Sequence, residues 1–200
     1  MLKIGLAGGS GSGKGRVSAL LALAGIPSFD CDAVYHELIS RDGTLSRELA
    51  DAFGDEILSR AGGVDRAALR EAAFHDPEKR ARLNAITHRH VLRELREWVD
   101  RAEKQGVTAV VVDAPLLFES GFDRECDLTV AVTAPVDLRV ERIVRRDRIT
   151  PDEARERVAA QIPDADLSRR ADLVIENGGD QAQLSLEVSR ILKIINERRK

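Results

Sequence analysis

The feature that most constrains the fold of this chain is a glycine-rich segment near its start, Gly8-Gly9-Ser10-Gly11-Ser12-Gly13-Lys14-Gly15. The apolar run Ile4-Gly5-Leu6-Ala7 comes directly before it, and apolar residues recur at helical spacing over 17–24. This order predicts a strand, a loop and a helix, in which loop N–H groups and the helix N-terminus converge on an anion. We therefore predict a nucleotide phosphate site formed by Gly8, Gly9, Ser10, Gly11, Ser12, Gly13, Lys14, Gly15 and Arg16.

The segment departs from the phosphate-loop (P-loop) pattern G-x-x-x-x-G-K-[ST] at its last position. That position usually supplies a hydroxyl to Mg²⁺, whereas Gly15 has no side chain. The next hydroxyl, on Ser18, lies roughly one helical turn further along at about 1.5 Å per residue, so it is no simple substitute. We expect the metal to be held differently or more weakly.

The composition limits the kind of partner. The chain has 200 residues, 43% of them hydrophobic, which is enough for one sizeable α/β core. The formal net charge of -3 indicates no general nucleic-acid surface, and no run approaches the ~18 apolar residues of a membrane span. Cys31 and Cys126 are far apart and follow no secretory signal. We therefore expect a cytoplasmic protein that acts on a small molecule, and the sequence does not fix its oligomeric state.

Short apolar runs predict the remaining strands. They lie at 26–30, 107–113, 128–132 and 173–176, with helical patterns between them. Such runs are typical of parallel strands buried on both faces, so the predicted fold class is α/β with a five-stranded parallel sheet. The gap of about 75 residues after the second strand exceeds one crossover helix and predicts a helical insertion at 33–106 within a single domain, 1–200.

An arginine-rich segment at 138–168 follows the fourth predicted strand and is predicted to form a helical lid. Within it, Thr150-Pro151-Asp152-Glu153 has the residue types of a helix start, with a threonine cap, a proline at the first position and a glutamate at the third. A new helix is therefore expected after Arg148.

Candidate acids occur at the ends of two predicted strands. Phe29-Asp30-Cys31-Asp32 places two carboxylates after the second strand, where open α/β sheets bind ligands, and strand alternation would direct both to the same side. One would orient a substrate hydroxyl and the other would hold water around a metal. Alternatively, Asp30 caps a helix. Asp113 ends the third strand, expected beside the first, so Asp30 and Asp113 are the candidates for holding Mg²⁺ through water.

A series of ordered motifs resembles the dephospho-coenzyme A kinase family over nearly the whole chain. Besides the glycine segment and the Asp-x-Asp pair, the matching residues are Phe53-Gly54, Gly63-Val64-Asp65-Arg66, Leu83-Asn84 with His88, Asp113 to Glu119, Arg142 to Asp147, Gln161, and Ala171 to Gly178. Each motif alone is weak, but their order is specific.

This resemblance implies a P-loop kinase that transfers the γ-phosphoryl group of ATP, with Mg²⁺, to the ribose 3′-hydroxyl of dephospho-coenzyme A. It implies that Asp32 is the catalytic base and that Lys14, Arg142 and Arg146 act on the phosphates, the two arginines from the lid. It also implies further binding residues. Asn177 and Gly178 would contact the adenine side of ATP, and Arg66, His88, Leu116 and Glu119 would contact the acceptor together with Asp32, with the insertion at 33–106 forming much of the acceptor pocket.

Two other functions remain open at the level of sequence. The first is a nucleotide-binding protein that has lost catalysis; Gly15 favours this function, whereas Lys14 and Asp32 argue against it. The second is another small-molecule kinase, such as a nucleoside monophosphate kinase, since one fold supports several substrates.

Overall fold

The strands of this computed structural model form a single parallel sheet. The structure describes residues 1–41, 43–60, 62–74 and 76–198. The strands are β1 (Leu2–Ala7), β2 (Ser28–Asp30), β3 (Ala109–Asp113), β4 (Leu128–Thr133) and β5 (Leu173–Glu176). Their order in the sheet is β2-β3-β1-β4-β5, and β1 pairs in parallel with both β3 and β4, as β4 does with β5. The predicted α/β class with a five-stranded parallel sheet is confirmed.

Nine α-helices are present among the described residues. They are α1 (Lys14–Leu23), α2 (Cys31–Ser40), α3 (Thr44–Phe53), α4 (Arg66–Phe74), α5 (Pro77–Lys104), α6 (Val136–Asp147), α7 (Pro151–Ala159), α8 (Asp164–Arg170) and α9 (Gln181–Arg198). The start predicted for α7 is confirmed, because the Thr150 hydroxyl accepts from the Glu153 N–H at 3.3 Å and the Glu153 carboxylate accepts from the Thr150 N–H at 2.8 Å. No helix in these ranges is long and apolar enough to cross a membrane.

The chain divides into two compact units. The first comprises Met1–Phe29 and Ala102–Lys200 and contains most of the sheet, α1 and α6 to α9. β3 and β4 are buried along their whole length, which is why their sequences are nearly continuous apolar runs. Its core joins Ile4 and Val130 of the sheet to Leu21 of α1 and Ile195 of α9.

The second unit, Asp30–Arg101, is mainly helical. Its separate apolar core includes Ile39, Leu49 and Ile86. Whether the predicted segment 33–106 binds the acceptor, and whether 138–168 acts as a lid, stay predictions.

The expectation that strand alternation directs Asp30 and Asp32 to one side is wrong. β2 ends at Asp30 and α2 begins at Cys31, so Asp32 lies in the first turn of a helix. The Asp30 carboxylate accepts a hydrogen bond from the Ala33 N–H at 3.0 Å and caps α2. An acid after a short strand satisfies an otherwise unpaired helix N–H group, and this local preference ends the strand before Asp32.

Candidate functional site

The glycine-rich segment connects β1 to α1 as predicted. β1 ends at Ala7, and Gly13 is the N-cap of α1 with φ 91° and ψ 18°, a left-handed conformation that favours glycine. No side chain in the described part of the chain caps this helix. Its first N–H groups and its positive dipole end therefore suit an anion.

Lys14 forms a buried ion pair beside the loop. Its ammonium contacts the Asp113 carboxylate, and the two side chains are 14% and 7% exposed. Asp113 ends β3 and lies opposite Leu6 of β1 in the sheet register, so the predicted neighbourhood of these strands is confirmed. The pair places a carboxylate next to the lysine that would contact phosphates.

The arginines of α6 contact the glycine loop. Arg142 donates to the Gly11 carbonyl oxygen at 3.1 Å, and Arg146 donates to the Ser10 hydroxyl at 3.1 Å and to Asp147. Burial, together with the nearby positive charge of Arg16, lowers the pKa of Arg142. These cations add to the positive charge of the loop, as a triphosphate requires.

Asn177 also contacts the loop. It is 2% exposed, its Nδ2 donates to the Ser12 carbonyl oxygen at 2.7 Å, and its own carbonyl accepts from Arg142 at 3.1 Å. Gly178 follows it and packs against Pro135 so closely that a Cβ there would approach the proline ring to 3.1 Å. The predicted adenine contacts of Asn177 and Gly178 stay predictions.

A further arginine contacts the loop and was not among the predicted site residues. Arg139 is 2% exposed, and its Nε donates to the Ser10 carbonyl oxygen at 2.9 Å. Gln161, which the sequence indicated only as a family motif, accepts from the Ser10 N–H at 2.9 Å. The spacing of Arg139 three residues before Arg142 on α6 is the one sequence signal that could have identified it.

The hydroxyls of Ser18 and Ser12 differ in their hydrogen bonding. The Ser18 and Ser28 hydroxyls hydrogen-bond to each other at 2.8 Å, in agreement with the expectation that Ser18 is no substitute. The buried Ser12 hydroxyl has no hydrogen-bond partner among the described residues. A Cβ at Gly15 would meet no atom of the described chain within 4 Å, so a larger residue has space there.

The oxygen donors present fit Mg²⁺ only in part. A carboxylate such as that of Asp113 is the hard ligand that Mg²⁺ prefers, and this ion commonly keeps several waters. Gly15 contributes no ligand, and the Asp30 carboxylate already caps α2. Water-mediated binding by these two acids stays a prediction.

The residues predicted to contact the acceptor lie in both units. Leu116 and Glu119 are exposed in the segment after β3, whereas the neighbouring Phe118 is buried beneath the Arg170 guanidinium, 4.5 Å from its ring centre. Asp32, Arg66 and His88 belong to the second unit, on α2, α4 and α5. Their role with the acceptor stays a prediction.

Known proteins share both the sequence and the fold of this chain. The family model described as dephospho-CoA kinase matches residues 2–183. The chain belongs to the dephospho-CoA kinase family. A dephospho-CoA kinase of Corynebacterium glutamicum is 41% identical over 198 residues, which are 99% of each chain. The crystal structure of TT1252 from Thermus thermophilus matches with a TM-score of 0.84 and 33% identity over 96% of both chains.

Membership of the dephospho-CoA kinase family bears on the alternatives. A dephospho-CoA kinase structure from Campylobacter jejuni, at 22% identity, shares the fold with a TM-score of 0.73 over 99% of this chain and 98% of its own. The family match confirms the resemblance found in the sequence and gives no support to a protein that has lost catalysis. It also disfavours the nucleoside monophosphate kinase alternative.

Proposed function

We propose that this chain is an ATP-dependent kinase that phosphorylates the ribose 3′-hydroxyl of dephospho-coenzyme A, giving coenzyme A and ADP. The observation that carries this proposal is the glycine loop of a dephospho-CoA kinase family member, with Lys14 and the α6 arginines Arg142 and Arg146 gathered around it. We expect the reaction to take place in the cytoplasm on free small molecules.

The donor side of the reaction needs position and charge more than covalent chemistry. The N-terminus of α1 and Lys14 would bind the β- and γ-phosphates, and Arg142 and Arg146 would neutralise charge as the γ-phosphoryl group transfers. Asp113 and Asp30 would hold Mg²⁺ through water, and the ion, when bound, would supply positive charge that offsets the charge of the phosphates.

The acceptor side needs a base for the ribose hydroxyl. We assign this role to Asp32, which would accept the hydroxyl proton as the 3′-oxygen forms its bond to the γ-phosphorus. The bond from that phosphorus to the oxygen bridging it to the β-phosphorus then breaks, and ADP leaves. Arg66, His88, Leu116 and Glu119 would bind the rest of the acceptor.

The test is ADP release measured with and without dephospho-coenzyme A. Stimulation by the acceptor is the expected result, and its absence at every Mg²⁺ concentration would refute the proposal. Asp32→Asn should keep ADP affinity and lower turnover by about two to four orders of magnitude, the usual contribution of a general base. Asp51→Asn, an exposed acid on α3, is the matched control and should retain wild-type turnover. Near-normal turnover of Asp32→Asn would remove Asp32 from this role.

A further inference from the structure

Both backbone polar groups of Ser10 are held by side chains from outside the glycine loop. The Ser10 N–H donates to Gln161 Oε1 at 2.9 Å, and the Ser10 carbonyl oxygen accepts from Arg139 Nε at 2.9 Å. Gln161 Oε1 also accepts from Arg139 Nη2 at 2.9 Å, which closes a ring of three hydrogen bonds. The tip of the loop is thus fixed at one residue by two partners that also hold each other.

Arg139 is itself held rigidly. Its side chain is 3% exposed, and its Nη1 donates to the Asp164 carboxylate at 2.7 Å, where α8 begins. The guanidinium is planar and presents its donors in a fixed fork, so three partners in three directions fix its plane. A buried charge is tolerated only when it is paired and hydrogen-bonded, and here both conditions hold.

The carbonyl contacts determine where loop N–H groups point. In a trans peptide the carbonyl of one residue and the N–H of the next point in opposite directions. Arg139 holds the Ser10 carbonyl, so the Gly11 N–H is directed away from Arg139. Asn177 and Arg142 hold the Ser12 carbonyl, so the N–H of the next residue, Gly13, is directed away from these two side chains. These contacts therefore direct N–H groups toward the opposite side of the loop before any ligand binds.

The close fit of this network also requires glycine in the loop. A Cβ at Gly9 would overlap Arg139 Nη2 and approach Gln161 Oε1 to 2.9 Å, and a Cβ at Gly11 would approach the Arg139 carbonyl oxygen to 2.5 Å. The glycines thus admit the side chains behind the loop as well as a phosphate in front of it.

We propose that Arg139 and Gln161 are positioning residues that fix the Ser10 peptide and thereby orient the loop N–H groups toward the nucleotide phosphates. The proposal rests on the proposed function for the identity of the reaction, but what it predicts is the affinity of the loop for a nucleotide. Gln161 lies between α7 and α8 in the predicted lid segment, so its side-chain oxygen adds a link between that part of the segment and the phosphate loop to those made by the arginines of α6.

The test replaces Gln161, because loss of the buried Arg139 would also unpair Asp164 and destabilise the fold. Gln161→Met keeps the length of the side chain and removes the acceptor, whereas Gln161→Glu keeps an acceptor oxygen. Gln105→Met, at an exposed position before β3, is the matched control.

Loss of two hydrogen bonds, one of them to a guanidinium, predicts about a tenfold rise in the Kd for ADP in Gln161→Met. The KM for dephospho-coenzyme A should stay within about twofold, because neither Gln161 nor Arg139 is among the residues predicted to contact the acceptor. Gln161→Glu should recover most of the ADP affinity. Amide hydrogen exchange of Ser10, measured without nucleotide, should accelerate in the Met variant and stay unchanged in the Gln105→Met control.

Three results would overturn the inference: wild-type ADP affinity in Gln161→Met, an unchanged Ser10 exchange rate, or equal loss of affinity in the Met and Glu variants, which would indicate shape alone. The proposed function and the positioning role can be refuted independently of each other. If wild-type protein shows no ADP release with dephospho-coenzyme A and Gln161→Met still weakens ADP binding, the proposed function is wrong and the positioning role stands.

Discussion

Gly13→Ala tests the backbone and side-chain packing of the loop together. The left-handed conformation of Gly13, with φ 91°, costs a non-glycine residue about 1–2 kcal/mol. The new Cβ would also overlap Nδ2 of Asn177, a buried group that donates to the Ser12 carbonyl oxygen. Displacing it leaves buried polar groups unpaired at about 1–3 kcal/mol. We expect a total loss of stability of roughly 3 kcal/mol.

Urea unfolding of wild type and variant measures this loss directly, and the Tm should fall by about 6–12 °C for a chain of this size. Gly25→Ala is the matched control. Gly25 also has a positive φ, 81°, but a Cβ there would meet no described atom within 4 Å, so it carries the backbone cost alone. The difference between the two variants isolates the contact with Asn177.

A double-mutant cycle decides whether that contact is the cause. In an Asn177→Ala background the obstacle is absent, so Gly13→Ala should cost only about 1–2 kcal/mol, as Gly25→Ala does. The reasoning is refuted if Gly13→Ala costs no more than Gly25→Ala in the wild-type background. It is refuted equally if its cost is the same with and without the Asn177 side chain.

Three further measurements probe the charges and ligands of the site. Gly15→Ser should lower the Mg²⁺ concentration for half-maximal turnover while Gly15→Ala does not; equal Mg²⁺ dependence in both would show that the hydroxyl is unimportant. Lys14→Ala should weaken ADP binding in calorimetry and lower turnover, and unchanged ADP affinity would contradict the phosphate site. Hydrogen bonds from Arg146, together with Arg157, lower the pKa of Asp147 from 3.8 to about 2. The ionised Asp147 carboxylate therefore stabilises the folded protein above pH 4, and this stabilisation is lost as the pH falls through about 2. An NMR titration that gives Asp147 a pKa near 4 would contradict this prediction.

Local sequence patterns predicted the elements that carry the donor site. The loop follows from a buried strand, closely spaced glycines and a helix with apolar residues at helical spacing, and each of these is encoded within a few residues. The strands of the sheet follow because burial on both faces leaves apolar runs such as that of β4. The start of α7 follows because the side chains of Thr150 and Glu153 each accept a hydrogen bond from the backbone N–H of the other residue.

The contacts that hold the loop were not predictable in the same way. Arg139 is one of many arginines, most of them on solvated helix faces, and its burial depends on Gln161 and Asp164, which lie more than twenty residues away. The wrong prediction that strand alternation continues to Asp32 has a different origin. A helix cap at Asp30 competes with strand extension, the sequence allows both, and in the structure the cap forms and ends the strand.

From the contacts around the loop we expect the departure at position 15 to affect the metal more than the phosphates. The hydroxyl usually found there would add one ligand to Mg²⁺. In the proposed mechanism, phosphate recognition instead depends on N–H groups oriented by Arg139, Arg142 and Asn177, and on the positive charge of the arginines and Lys14. None of these contacts involves the side chain at position 15. We therefore expect a chain with Gly15 to bind a triphosphate, and the consequence of the glycine should be confined to the Mg²⁺ requirement.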